Sequence, residues 1–316
     1  MRARLPQLSI SLFAVLAACS DGGAVAPSPA ATSAAAAPAL GVDKRLGEIA
    51  AALDAGRLDN ARVLLAQLGD GAGPTAALLR ARLALFSRDN IGALRELEAA
   101  RASASGAGRV DVHATAAELY CALGKLDAAE DEIRAGLALD AEAPVLLRAR
   151  ALLLLSRPGS AEAGLDLLER ALAREPALPF TAALRREARL LAARAKLQRQ
   201  DAAGALALVR AVRASEPSLG AARELEAEAL AASKDLEGAC RVLEELRADG
   251  ADPGLALADM HRRAGTLCLL EQRKDAALEH FARARELGAT AAELGTGAEL
   301  LFRAGAEATE AGFGKL

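Results

Sequence analysis

The sequence predicts an all-α chain of about seven helix pairs, and two observations carry that reading. Apolar residues make up 53% of the 316 residues while aromatics make up only 2%, so the core must be built from Ala and Leu. These are the strongest helix formers, and small side chains let helices approach closely. The second observation is a recurring triplet. Small residues stand at Ala61, Ala93, Ala129, Gly164, Ala205, Ala239 and Ala277, at successive spacings of 32, 36, 35, 41, 34 and 38. Four residues after each comes an apolar one: Leu65, Leu97, Ile133, Leu168, Val209, Leu243 and Phe281. Three further on come Leu68, Ala100, Gly136, Ala171, Val212, Leu246 and Ala284. Offsets of four and three place side chains on one helix face.

The first 18 residues read as an export signal, with Arg2 and Arg4 ahead of a short, mostly apolar run at 8–18. The tetrapeptide Leu16-Ala17-Ala18-Cys19 that ends it resembles the lipobox of bacterial lipoproteins. That resemblance implies that Cys19 becomes the mature N-terminus and carries acyl chains, each buried CH₂ contributing ~0.8 kcal/mol to anchoring. An ordinary cysteine behind an ordinary cleaved signal is the alternative. By analogy with enteric bacteria, Ser20 after the cysteine favours the outer membrane. Residues 19–42 are rich in Ala, Pro, Ser and Gly without helical periodicity, as expected of a lipidated cysteine followed by a tether. At ~3.1 Å per extended residue the tether spans some tens of ångströms.

The repeat array is expected over 43–289. In Gly56-Arg57-Leu58-Asp59 and Gly124-Lys125-Leu126-Asp127, Gly falls where a helix ends and Asp where the next begins, the chemistry of C- and N-caps. Glu175-Pro176 and Glu216-Pro217 close second helices, because Pro cannot continue one. Leu78-Leu79-Arg80-Ala81-Arg82 recurs intact as Leu146-Leu147-Arg148-Ala149-Arg150, two repeats later. Two places depart from the pattern: the turn 156–162 is about three residues long for it, and the fifth pair is expected to start as early as Phe180. Such insertions mark either a bend or partner contact or the ordinary tolerance of surface loops. A single terminal helix is expected over 291–309 within a capping segment 290–316, with Gly295 and Gly297 weakening its start.

The clearest unit is 261–287, where Gly265, Ala277, Phe281 and Ala284 stand at offsets of 12, 4 and 3 around a polar break. This pattern resembles the tetratricopeptide repeat, with its small residues at two helix crossings, a large apolar residue and a later Ala. The resemblance implies a right-handed superhelical α-solenoid with a C-terminal cap. It also implies a groove, lined by the first helices, that receives a protein or peptide segment. Carried over, the groove is expected to use Leu78, Arg82, Leu85, Leu146, Arg150, Leu153, Leu190 and Arg194. Equivalent positions also hold Glu118 and Glu228, so the Arg and Glu residues can either grip a partner or pair with one another as a ladder. Leu78 and Leu146 can equally be core. The Lys/Asn/Arg set with which some members clamp a carboxylate is absent.

Catalytic patterns are thin. There is no HExxH, no phosphate-cradling Gly loop and no Ser-His-acid arrangement, so no enzyme, cofactor or metal is expected. His261 and His280 share a helix pair, and a metal site with Glu279 is geometrically conceivable, but half-buried helical histidines are the ordinary reading. Cys121, Cys240 and Cys268 read as small core residues, with a Cys240–Cys268 disulfide as the alternative. A net charge of −3 makes no electrostatic case for nucleic acid. The expected function is a non-enzymatic scaffold or assembly factor, lipid-anchored in the bacterial envelope and facing the periplasm, serving pilus, secretion, outer-membrane assembly or exopolysaccharide machinery. A subunit or enzyme acting on envelope polymers and a peptide sensor are the alternatives.

Overall fold

A computed structural model describes residues 42–69, 73–251, 253 and 255–303; the expected signal peptide, Cys19 and nearly all of the tether lie outside them. The described residues form helices and connecting turns, with no strand among them. The chain divides into two compact units, Met1–Ala188 and Arg189–Leu316. The first holds α1 (Val42–Asp54), α2 (Leu58–Leu68), α3 (Gly73–Phe86), α4 (Asn90–Ser103), α5 (Gly108–Ala122), α6 (Leu126–Leu137), α7 (Pro144–Leu155) and α8 (Ala161–Arg174). The division falls within α9 (Ala182–Gln198). The second unit continues with α10 (Ala202–Ser215), α11 (Gly220–Ala232), α12 (Leu236–Ala248), α13 (Leu255–Leu270), α14 (Lys274–Glu286) and the single turn α15 (Ala291–Leu294). These are the seven expected pairs, α1–α2 to α13–α14, followed by a cap.

The recurring triplet lies in the seams between helices. Ala61, Ala93, Ala129, Ala205, Ala239 and Ala277 are 0% exposed, and Gly164 is buried with them. The residue four further on is buried in every pair, and the residue seven on is buried in all but the first, where Leu68 is half-buried. Gly265 shows why small residues are required: a Cβ there would meet the Phe281 ring at 2.9 Å. A Cβ on Gly164 would meet Leu155 at the same distance.

Five of the seven turns within pairs use one of two solutions, while the last has Gln272 left-handed at φ 65° ahead of an Arg273 N-cap with no side-chain hydrogen bond. In α1–α2 and α5–α6 the left-handed position is glycine, Gly56 at φ 69° and Gly124 at φ 70°, as expected. Asp59 and Asp127 are not the caps expected of them. Arg57 and Lys125 occupy the N-cap positions without a side-chain hydrogen bond, and the two aspartates sit in the first helical turn, where they favour the helix dipole instead. In three other turns the left-handed residue is Arg88, Gln200 or Lys234, at a cost of ~1–2 kcal/mol each. The next residue there is always Asp, and it offsets the strain by capping. Asp89, Asp201 and Asp235 accept hydrogen bonds from the amides of Gly92, Gly204 and Gly238 at 2.8, 2.8 and 2.9 Å. Each glycine is needed because a Cβ would run into the capping carboxylate.

Two expectations about boundaries change. α9 begins at Ala182 rather than near Phe180, because 175–181 is held as a loop by long-range contacts described below. The terminal segment is not one helix. Thr290 and Glu293 form a reciprocal capping box around α15, Gly295 breaks it at φ 83°, and helix resumes at 296–303. Leu294 and Ala298 cover Cys268, Ala277, Phe281 and Ala284, closing the last pair as a solenoid end requires. No described helix is long and apolar enough to cross a membrane. Asp235→Ala is expected to lower stability by about 1 kcal/mol, visible as a reduced urea midpoint, whereas Asp59→Ala, which removes no cap, is expected to change it much less.

Candidate functional site

The first helices of neighbouring pairs lie side by side in the first unit, with α3 on α5 and α5 on α7. Their shared face carries a buried charge cluster. The Arg82 and Glu118 side chains are 12% and 9% exposed and pair at 2.5 Å. Arg148 holds the other side of the same carboxylate through Nε at 2.8 Å and Nη2 at 2.7 Å. Thr115 Oγ1 accepts a further hydrogen bond from Arg82 at 3.3 Å. Burial pushes Glu118 up, but Arg148 and Arg82 together hold it below the ordinary carboxylate value. Burial draws the Arg82 guanidinium below its ordinary value, with Glu118 opposing.

This is the ladder the repeat arithmetic raised, with one member replaced. Arg82 and Glu118 stand four residues before the ends of α3 and α5, at Phe86 and Ala122. The same place in α7 is Ala151, and Arg148 lies one turn earlier on that face. Arg150, one residue short of Ala151, is rotated away by about 100° and is exposed. There it is one of the cations that act on Glu130. The repeated pentapeptide therefore contributes its last arginine from α3 and its first from α7.

The loop after the fourth pair lies over this cluster. The Phe180 ring sits 4.4 Å from the Arg82 guanidinium and 5.9 Å from that of Arg148. Arg148 Nη1 donates to the Pro179 carbonyl at 2.5 Å, and the Phe180 amide donates to Asp54 Oδ2 at 3.2 Å, 126 residues earlier in the chain. Phe180 also packs on the apolar cluster of the first pair, against Ile49, Leu53 and Leu79 among others. Its backbone is left-handed, at φ 59°, a conformation an aromatic residue holds only when its surroundings impose it.

Of the residues expected to line a groove, Leu78, Leu146, Leu153 and Leu190 are buried. They are core between helices, which corrects their assignment to a contact surface. Leu85 is half-buried beside Arg82, and Ala81, Arg82, Leu85, Thr115, Glu118 and Leu119 line a shallow recess. The equivalent row of the second unit differs: Arg194, Glu228 and Thr266, each four residues before the end of α9, α11 or α13, are all exposed. Phe180 and Arg148 were missed from sequence. The only local signal for Phe180 was its place in an overlong connection.

No family model and no curated protein matches the chain. Among solved structures, the apo form of RapI overlays 78% of this chain and 76% of its own at 12% identity and a TM-score of 0.55. A tetratricopeptide repeat protein from Parabacteroides merdae is 18% identical over 83% of this chain and 98% of its own, at a TM-score of 0.38. PilW, a type IV pilus biogenesis factor, is 16% identical over 72% and 98%, at a TM-score of 0.45. The two looser overlays fix neither shape nor role.

Replacing Glu118 with Ala strands two buried guanidiniums and is expected to cost ~3–5 kcal/mol. Because the folded-state value of Glu118 is depressed, its contribution is present above the ordinary value of 4.5 and is lost as pH falls below it. Urea unfolding across pH is therefore expected to show an acid loss that Glu118→Gln, already destabilised, shows more weakly. With seven helix pairs whose buried seams carry the small and large residues of the repeat, the chain has the tetratricopeptide-repeat fold.

Proposed function

We propose that this chain is a non-enzymatic scaffold, anchored by a lipidated Cys19, that holds a protein or peptide segment on the first-helix face of its second unit. The observation that carries this reading is the contrast between the two rows. Arg82 and Arg148 both pair with Glu118, and Phe180 lies against Arg82, whereas Arg194, Glu228 and Thr266 are exposed at the repeat position of Arg82 and Glu118. Glu224 is exposed and Arg262 half-buried at the position one turn earlier in their helices. A row of both signs selects a partner segment with complementary charges more by orientation and encounter rate than by affinity. The periplasmic, outer-membrane setting rests on the lipobox resemblance and on the Ala/Pro/Ser tether.

The test places a photo-crosslinking amino acid at position 194 or 228, and at position 82 as comparison, in the full chain expressed in a Gram-negative host, with envelope fractionation. The expected result is a discrete protein adduct at 194 and 228, absent at 82 and lost in a separate Glu224→Arg background. The chain stays in the membrane fraction, and Cys19→Ala releases it. Absence of adducts at 194 and 228, or membrane retention of Cys19→Ala, contradicts the corresponding half of the reading.

A further inference from the structure

The second unit gathers histidine and cysteine at one buried point. Cys240 of α12, His261 of α13 and His280 of α14 each bring one potential ligand atom within 4.8 Å of the others. The two imidazoles meet at 2.9 Å, Nδ1 to Nδ1, which lets a single proton serve both nitrogens. His261 is 7% exposed, and its Nε2 is buried without a hydrogen bond, although Glu244 Oε1 lies 3.4 Å away. That carboxylate is already held by Arg283 through Nε at 2.8 Å and Nη2 at 3.1 Å. With an ion at the two Nδ1 atoms, His261 Nε2–H faces Glu244 Oε1, the kind of carboxylate partner that orients metal-binding imidazoles.

We propose that Cys240, His261 and His280 bind one divalent transition-metal ion of the zinc type, tying the sixth helix pair to the seventh. The donor set suits this class of ion: imidazole nitrogen and thiolate sulfur on a closed, buried position are the ligands of structural tetrahedral zinc. The spacing suits it as well. Zinc–nitrogen bonds of ~2.0 Å in a tetrahedron put two nitrogens about 3.3 Å apart, close to the separation the imidazoles already have. Cys240 binds as the thiolate, its proton passing to solvent. Because the thiolate and not the thiol is the ligand, binding carries a proton release and strengthens as pH rises. Cys268 stands outside this set, grouped instead with Glu237 and His280, its Sγ 4.0 Å from Glu237 Oε1. The ligands come from three consecutive helices, so the ion staples two repeats that otherwise touch through apolar contacts and surface ion pairs.

The full chain, stripped with chelator under reducing conditions, is titrated with Co²⁺ and then challenged with Zn²⁺. The expected result is one equivalent of bound cobalt, showing the visible bands of tetrahedral Co²⁺ and a near-ultraviolet thiolate-to-cobalt band, both abolished when zinc displaces it. Cys240→Ser and His280→Gln are expected to weaken binding by at least ~10-fold, since even outer partners of a metal site are worth about 10–100-fold. Cys121→Ser, a buried cysteine in the other unit, is expected to leave the spectrum unchanged. Circular dichroism establishes that each variant is folded. Failure of the unsubstituted chain to bind cobalt stoichiometrically, a cobalt spectrum without the thiolate band, or equal binding by folded His280→Gln overturns the proposal.

Discussion

Close approach at small residues is the constraint on which the rest of this structure depends. Where Ala61, Ala93, Ala129, Gly164, Ala205, Ala239 and Ala277 meet a neighbouring helix there is no room for a larger side chain, as the 2.9 Å clearance at Gly164 and Gly265 shows. Fixing that contact fixes the rotation of each second helix, which directs the residues four and seven positions later into the core. It also fixes the first helices, whose position four residues before the end then recurs on a common face. A chain with six phenylalanines, one tyrosine and no tryptophan has few large side chains with which to fill gaps, so the closeness of its seams has to supply the packing that aromatics supply elsewhere.

The recurrent face is used differently in the two units. In the first, three charged groups meet in a nearly water-free setting. The arrangement holds because one carboxylate is shared by two guanidiniums and the remaining donors find Thr115 and the Pro179 carbonyl. Removing a charge from water is repaid only when geometry and hydrogen bonds are both complete. Phe180 finishes the arrangement by excluding water and offering its ring face to Arg82. The strained backbone at Phe180 is the local cost of bringing the fourth pair's exit loop back to the first pair. In the second unit the same row is left in solvent, where charges are screened and contribute little to stability but are available for recognition.

Much of the fold was legible because its signal is periodic. Seven repetitions of one spacing locate helices, turns and seams without any knowledge of distant contacts, and the Gly56 and Gly124 turns follow from local backbone chemistry. The ladder was half legible: position arithmetic paired Arg82 with Glu118, but α7 meets the ladder one turn earlier, and that shift substitutes Arg148 for Arg150. The Phe180 contact has no local signature, since its amide partner Asp54 is 126 residues away. Four of the five leucines assigned to the groove are core for a related reason. An apolar residue on a first helix reads the same whether it faces a groove or a neighbouring helix. The His261–His280 pairing was visible as two histidines in one helix pair. Cys240 could have been added by noticing that it adjoins the seam residue Ala239, as His280 adjoins Phe281.

The central claim is that the first unit's charged face is internally satisfied and closed by its own loop. A double-mutant cycle between Arg82→Ala and Phe180→Ala tests it most directly, because the two residues are far apart in sequence and meet only if the loop lies across the cluster. Urea unfolding of the parent, both single variants and the double variant is expected to yield a favourable coupling of ~0.5–2 kcal/mol, the range of a partly desolvated cation–π contact. Strict additivity of the two single effects would contradict the account.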